Sequence, residues 1–409
     1  MGSSLDRRRF IVMSSAGALL SALRQRELWP LQAVATPGPL SGPNWTPSPD
    51  LLRSLPRMLE LAGVPGLALG VVSQGQVWKG GFGRATLEPV TPVSYETVFE
   101  AVSLGKPLFA YAVLRLVDAG RIDLNRPLYD YLPSPEANNP LMRKVTATHV
   151  LSHTSGLPNW REQPGPLQPM AEPGTTFSYS GEGYVYLQRV VEQVTDTPFA
   201  RYMRDQILNP LGMKQSSYIW LPQYESHKAA GRDEQGNEVD VYRAIGLDAE
   251  HLARQWGKSV LDWRYEDAIR AVPLINPQWP AVPLYIIPSS AGSLLTTVSD
   301  YARFLLRVVA PPSEPGLQLS QETQRAMRTP RIQLNRVLFW GLGWGIQRDE
   351  YGEVLWHWGA NNSFRNFVIA DLARSRAVVA FTNGEAGPKV YERVIAGVTG
   401  HDQAAFLWL

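Results

Sequence analysis

The sequence predicts one α/β domain split by an all-helical insertion, and three observations lead there. At 409 residues the chain exceeds one average domain. Short apolar β runs stand at both ends, over about 64–84 and again after 285. Between them, from about 121 to 284, alternating apolar runs are scarce and helical spacings separated by proline-rich loops take over. Strands at both ends around a helical middle place residues 51–120 and 285–409 in the α/β domain and 121–284 in the insertion.

Taken in chain order, residues 1–35 read as an address. Arg7-Arg8-Arg9-Phe10 precedes a weakly apolar stretch to Leu23, only 14 residues long and too short to span a bilayer. Ala33-Val34-Ala35 follows as a small-x-small cleavage pattern. The Arg7-Arg8-x-Phe10 run is similar to a bacterial twin-arginine export signal, which implies a periplasmic or secreted protein with no stable membrane anchor once the signal is cleaved. Residues 36–50, rich in proline, glycine and serine around Trp45, predict a linker, with order beginning near residue 45. Val64–Arg84 predicts a β-hairpin about Ser73-Gln74-Gly75-Gln76. Ser103–Ala119 is the clearest helix: Leu104, Leu108, Ala112 and Leu116 share a face, Pro107 lies in the first turn and Gly120 caps the end. Shorter helices are expected at Ala147–Leu151, Gly183–Val194 and Phe199–Leu208. Strands are expected around Trp344–Ile346, Val354–Trp356, Phe367–Ile369 and Ala377–Phe381, with a final helix over Lys389–Gly397.

Composition narrows the function. The chain is 44% hydrophobic and 19% charged, which excludes general disorder. Its net charge is +2, and residues 1–35 alone carry five arginines against Asp6 and Glu27. The remainder is close to neutral, so it has no electrostatic footprint for nucleic acid or an anionic membrane. Cysteine is absent, which excludes disulfides, thiol nucleophiles and zinc–thiolate sites. No cofactor is expected.

Ser103-Leu104-Gly105-Lys106 sets a hydroxyl and an amine nearly one turn apart at the start of the best helix. Exposed N–H groups at a helix start favour a developing oxyanion, and a partly desolvated lysine becomes a base once its pKa falls. With 28 serines and seven lysines in the chain, about half an occurrence of that spacing is expected by chance. Alone it reads equally well as a capping serine beside a surface lysine. Two further features follow in order: Phe177-Ser178-Tyr179-Ser180-Gly181 just before a helix, and His357-Trp358-Gly359 at the end of a β run.

The ordered set Ser-x-x-Lys, Tyr-Ser-x and His-x-Gly resembles the class C β-lactamase and D-alanyl-D-alanine carboxypeptidase superfamily of serine hydrolases. Val150-Leu151-Ser152-His153-Thr154-Ser155-Gly156-Leu157, Ala291-Gly292-Ser293-Leu294-Leu295-Thr296-Thr297, Gly341–Gly345 and Phe381-Thr382-Asn383 are similar to phrases of the same family. The resemblance implies an antiparallel sheet flanked by helices and an acyl-enzyme mechanism on a small-molecule or peptide substrate. It makes Ser103 the nucleophile, Lys106 its proton partner and Tyr179 the second acid/base. It makes His357 the residue that orients Tyr179, and the N–H groups of Ser103 and Ala360 the oxyanion hole. Gly181, Trp358 and Gly359 would border the substrate, Gly359 by letting the backbone approach closely. Two departures stand out: Gly181 replaces the usual asparagine, and His357 the usual lysine. Both lean toward esters or amides other than β-lactams, while the resemblance leaves an esterase, a D-amino-acid peptidase and a β-lactamase all open. A neutral His357 is expected to act as a hydrogen-bond donor, leaving Lys106 to supply charge. The competing functional reading is a sensor that binds penicillin or peptidoglycan and deacylates slowly.

Two features carry weaker signals. His149 and His153 have the i, i+4 spacing of a zinc pair but lack the adjacent glutamate of a metalloprotease, so no metal is expected. Trp160, Trp340, Trp344 and Trp356 read as core aromatics, whereas Trp358 is expected at the cleft.

Overall fold

The computed structural model describes residues 45–133, 139–309 and 317–408, so the expected export signal and most of the expected linker lie outside the described residues. The described end of that linker is packed rather than free. Trp45 is buried, the Arg376 guanidinium lies 4.6 Å over its ring, and helix α1 (Pro49–Ala62) has already begun. Ser48 caps α1 through Leu51 N–H at 3.1 Å and Pro49 opens it, a start signal hidden among the prolines of the linker composition.

Strands β1 (Gly66–Ser73) and β2 (Gln76–Leu87) form the expected hairpin. Gln74 and Gly75 both have positive φ, 51° and 75°, as a two-residue turn matched to strand twist requires. The short β3 (Val90–Pro92) pairs with β2, and β4 (Val98–Val102) runs into helix α2 (Gly105–Asp118). The middle of the chain holds α3 (Ala147–Leu151), α4 (Gly181–Thr195) and α5 (Phe199–Met203), the last continuing through a wide turn at Arg204–Leu208. Here the segment departs from pure helix, in a ladder of β5 (Gly231–Arg232) and β6 (Glu238–Val239) about a turn organised by Asp233. Two residues per strand are too few to leave an alternating pattern in sequence. Helices α6 (Val241–Trp256) and α7 (Tyr265–Ile275) complete it.

Strand β7 (Leu294–Thr297) pairs with β4 and leads into α8 (Val298–Val309), after which comes α9 (Gln321–Met327). Strands β8 (Ile332–Gln333), β9 (Leu338–Trp340), β10 (Gly345–Asp349), β11 (Gly352–Ala360), β12 (Arg365–Asp371) and β13 (Arg376–Thr382) form a meander, and α10 (Pro388–Thr399) follows. One antiparallel sheet takes in both ends of the chain, in the order β3-β2-β1-β13-β12-β11-β10-β9-β8. Its centre is the β1–β13 pair, in register from Leu67↔Thr382 to Ser73↔Arg376.

Both faces of this sheet are covered. Leu67, Leu69 and Val71 of β1 pack with Leu55 and Leu59 of α1 and Val390, Val394 and Ile395 of α10. Ala68 and Val72 point the other way, into the core holding Val298, Ala302 and Leu305 of α8 and the apolar residues of α2. Burial on both faces explains why β1, β12 and β13 read as continuous apolar runs rather than alternating ones. The fold is a mixed α/β structure with an antiparallel sheet between helices.

Candidate active site

Ser103 occupies the turn between β4 and α2. The residue before it, Val102, has φ of +52°, a left-handed conformation that a β-branched residue adopts only under constraint. Pairing of β4 with β7 shifts register between Glu100 and Val102, and this kink turns the chain toward α2. Lys106 lies in the first turn of α2, its Nζ 3.1 Å from Ser103 Oγ and also donating to the Ala291 carbonyl. The lysine is 1% exposed, and burial pulls its pKa down to about 7, with no carboxylate among the described residues to hold it up. At neutral pH a large share of this amine is therefore unprotonated and able to take the serine proton.

Tyr179 enters from the start of α4, which Ser180 caps by accepting from Gly183 N–H at 2.9 Å. The Lys106 nitrogen lies 4.9 Å from the Tyr179 ring centre. Burial pushes the phenol well above its ordinary range, and the neighbouring Ser103 hydroxyl offsets this only in part. Tyr179 is thus a neutral phenol in the resting protein. Its ring packs against two others, His153 stacked at 4.1 Å and Trp358 tilted at 5.0 Å.

His357 is fully buried on β11, and its Nδ1 lies 2.7 Å from the Trp358 carbonyl. A carbonyl only accepts, so Nδ1 carries the proton and Nε2 presents a lone pair. Burial, helped by the Lys106 charge, drives the pKa down to about 3. The expected hydrogen-bond donor toward Tyr179 is therefore an acceptor. Its ring centre is 6.4 Å from that of Tyr179, and among the described residues Nε2 has no hydrogen-bond partner.

Gly359 lets β11 lie against β4: a Cβ there would fall 2.2 Å from the Ala101 carbonyl oxygen. The same approach is tied by Asn366 Nδ2 to the Glu100 carbonyl at 2.8 Å and Asn361 Nδ2 to the Glu100 carboxylate at 2.7 Å. Ala360 stands between these anchors at the end of β11. Glu100 itself pairs with buried Lys228 at 3.0 Å, and Lys228 with Asp240 at 2.7 Å. Burial raises the Glu100 carboxyl to about 7 against the pull of Lys228. The sequence signal for this network was slight: one carboxylate in an otherwise apolar strand, three residues before Ser103.

Trp340, Trp344 and Trp356 are fully buried core residues, and Trp358 is half-buried against Tyr179. Trp160 is not core but half-buried over Gly181, where a Cβ would come within 2.3 Å of its benzo ring. The two histidines serve separate structural ends. His149 accepts from Thr146 N–H to cap α3, whereas His153 leaves that helix at φ +54° and accepts from Ser180 N–H at 3.0 Å, settling beneath Tyr179.

Comparison with known proteins gives one consistent picture. The β-lactamase family profile matches residues 55–398. Protein flp of Staphylococcus aureus (strain MW2) is 22% identical over 364 residues, covering 84% of this chain. The chain spans 65% of the length of that relative. Penicillin-binding protein 4 of Amycolatopsis lactamdurans is 31% identical over 169 residues, 37% of this chain and 44% of its own. Among solved structures, the octameric penicillin-binding protein homologue from Pyrococcus abyssi superimposes with a TM-score of 0.65 at 21% identity, covering 86% of this chain and 77% of that one. The D-alanine carboxypeptidase AmpC from Burkholderia cenocepacia does so with a TM-score of 0.65 at 18% identity, over 86% and 99%. These likenesses establish the shared fold.

Proposed function

Because the chain belongs to the β-lactamase family, we propose that it is an exported serine hydrolase that cleaves esters, or amides other than β-lactams, through an acyl-enzyme on Ser103. One observation carries the reading: a buried lysine with a pKa near 7, its Nζ 3.1 Å from a serine hydroxyl and no carboxylate among the described residues to keep it charged. Ser103 Oγ attacks the substrate carbonyl as its proton passes to Lys106 Nζ. The tetrahedral oxyanion accepts from the N–H groups of Ser103 and Ala360. Proton uptake places a full cation 4.9 Å from the Tyr179 ring, which lowers the phenol's pKa just when its proton is needed by the leaving group. The leaving alcohol or amine departs with that proton and the acyl-enzyme remains. Water then attacks the acyl carbonyl, giving a proton back to Tyr179, and Ser103 Oγ leaves as it recovers its own from Lys106.

Substrate class follows from what the cleft lacks. His357 is neutral above about pH 3, so it offers no fixed charge to a substrate carboxylate. Gly181 offers no side-chain amide to an acylamido group. Both favour uncharged esters. The raised phenol pKa supports a second reading, in which deacylation is slow and the protein acts as a penicillin or peptidoglycan sensor.

A panel of p-nitrophenyl esters, D-alanyl peptides, nitrocefin and fluorescent penicillin separates these readings. The hydrolase turns over short esters, and Ser103→Ala loses about 10⁴-fold or more while its melting temperature is kept. Lasting penicillin labelling without ester turnover supports the sensor. A Ser103→Ala protein with near wild-type rates rejects the nucleophile.

A further inference from the structure

Gly181 is the first residue of α4, two residues after Tyr179, and its surroundings bear on substrate choice. A Cβ placed on it would lie 2.3 Å from both Cη2 and Cζ2 of Trp160. No side chain of any kind fits there while the indole stays, so the tryptophan has taken the volume a side chain at 181 would fill. The indole has little freedom to withdraw, because the loop carrying it is sewn to the start of α4. Ser180 Oγ donates to the Pro158 carbonyl at 2.8 Å, Gly181 N–H to Asn159 Oδ1 at 3.0 Å and Glu182 N–H to the Asn159 carbonyl at 3.0 Å. Arg161 closes the loop, donating from its backbone N–H at 3.0 Å and from Nε at 3.1 Å to one oxygen of Glu182, a carboxylate only 1% exposed. A buried, charge-assisted clasp of this kind fixes geometry more than it adds stability.

The result is a rigid aromatic plane, half-buried but still partly open, beside the start of the helix that delivers Tyr179. A polar side chain at 181 would offer hydrogen bonds to substrate. The indole offers a flat apolar surface instead. We propose that Trp160 is a specificity-determining residue: it selects substrates that carry a flat apolar group, such as an aryl ester, over those that carry a hydrogen-bonding amide in the same place. This rests on the serine hydrolase reading.

The test uses kcat/KM ratios, so that general damage cancels. One ester series varies the acyl group from acetyl to benzoyl with a p-nitrophenyl leaving group. A second keeps the acetyl group and varies the alcohol from methyl to benzyl. In wild type the aryl-bearing member is preferred in one of the series. Trp160→Ala reduces that aryl-to-alkyl ratio about 10-fold, the scale of a lost aromatic contact, and Trp160→Phe restores most of it. Gly181→Asn alone disturbs the site, whereas Gly181→Asn in the Trp160→Ala background fits and raises turnover of an N-acylamino ester relative to its des-amino analogue. Aryl-to-alkyl ratios unmoved in both series by Trp160→Ala overturn the proposal, and do so while Ser103→Ala still abolishes turnover, leaving the hydrolase reading intact. Wild-type protein that neither turns over nor is acylated by any ester overturns both.

Discussion

In the proposed reaction the chemistry turns on Lys106, whose protonation state is set by burial. It acts as base only when neutral, so kcat/KM on an uncharged ester should rise with pH through about 7 and level off above it. His357 adds no acidic limb until about pH 3. Placing a lysine at 357 adds a cation to the same buried cluster, which pushes Lys106 further down. The rising limb of His357→Lys should therefore move to lower pH, and a limb that stays put rejects this coupling. The same burial costs stability. The unfolded lysine holds its proton up to about 10.4, whereas the folded one releases it near 7. The unfolded state binds more protons between those values, so folding stability rises with pH across that window. Lys106→Met should abolish activity yet stabilise the fold by about 1–3 kcal/mol, part of the gain being lost with the bond to the Ala291 carbonyl. A melting temperature that falls instead would contradict the desolvation argument. Ser103, Lys106, Tyr179 and His357 stand out as candidates in sequence because each lies in a short motif whose order is distinctive. The hydrogen-bonding sense of His357 is not, since it depends on one carbonyl, that of Trp358. Nor is the place of Trp160, whose loop meets Gly181 only through tertiary contacts.

Among the elements, the β4–α2 junction and the end of β11 together carry the proposed nucleophile and oxyanion site. They touch where Gly359 faces the Ala101 carbonyl, and Gly359→Ala inserts a Cβ at 2.2 Å from that oxygen. The strand must then move by several tenths of an ångström to an ångström, taking the Ala360 amide with it. Misplacement on that scale costs about 10²-fold in rate, and overpacking about 1–3 kcal/mol in stability. Pre-steady-state acylation and a thermal melt measure both, and a variant with the native acylation rate shows that this approach does not hold the oxyanion site. Element type was readable where the chain is buried on two faces, as in β1, β12, β13 and α2, because long apolar runs survive there. It was not readable in β5, β6 and β8, which have two residues each. Helix α8 has a clear i, i+3, i+4 face of Val298, Tyr301, Ala302 and Leu305, yet it follows the β run Leu294–Thr297 with no glycine or proline between them. Helix α1 is masked by the proline-rich stretch that caps it.

At the scale of the molecule, the sheet joins residues 66–73 to residues 376–382, and the site draws on positions from 100 to 360. Only the complete fold assembles it. Export through a pathway for folded proteins suits such a chain, and the absence of cysteine removes any need for an oxidising compartment before folding. Replacing Arg7 and Arg8 by lysine should leave the precursor in the cytoplasm with its fold intact, as fractionation and ester turnover in the cytosolic fraction would report. An unchanged periplasmic yield rejects the twin-arginine reading. The place of β1 at the middle of the sheet has a consequence for time. A ribosome releases the first hairpin some three hundred residues before the strand that must lie beside it, and loop closure over that span is slow. During synthesis the hairpin waits with one edge unpaired, open to a neighbouring chain or a chaperone. If Ser103 is the nucleophile proposed above, it cannot become reactive until nearly the whole polypeptide has emerged, so the order in which the strands are made sets when activity begins.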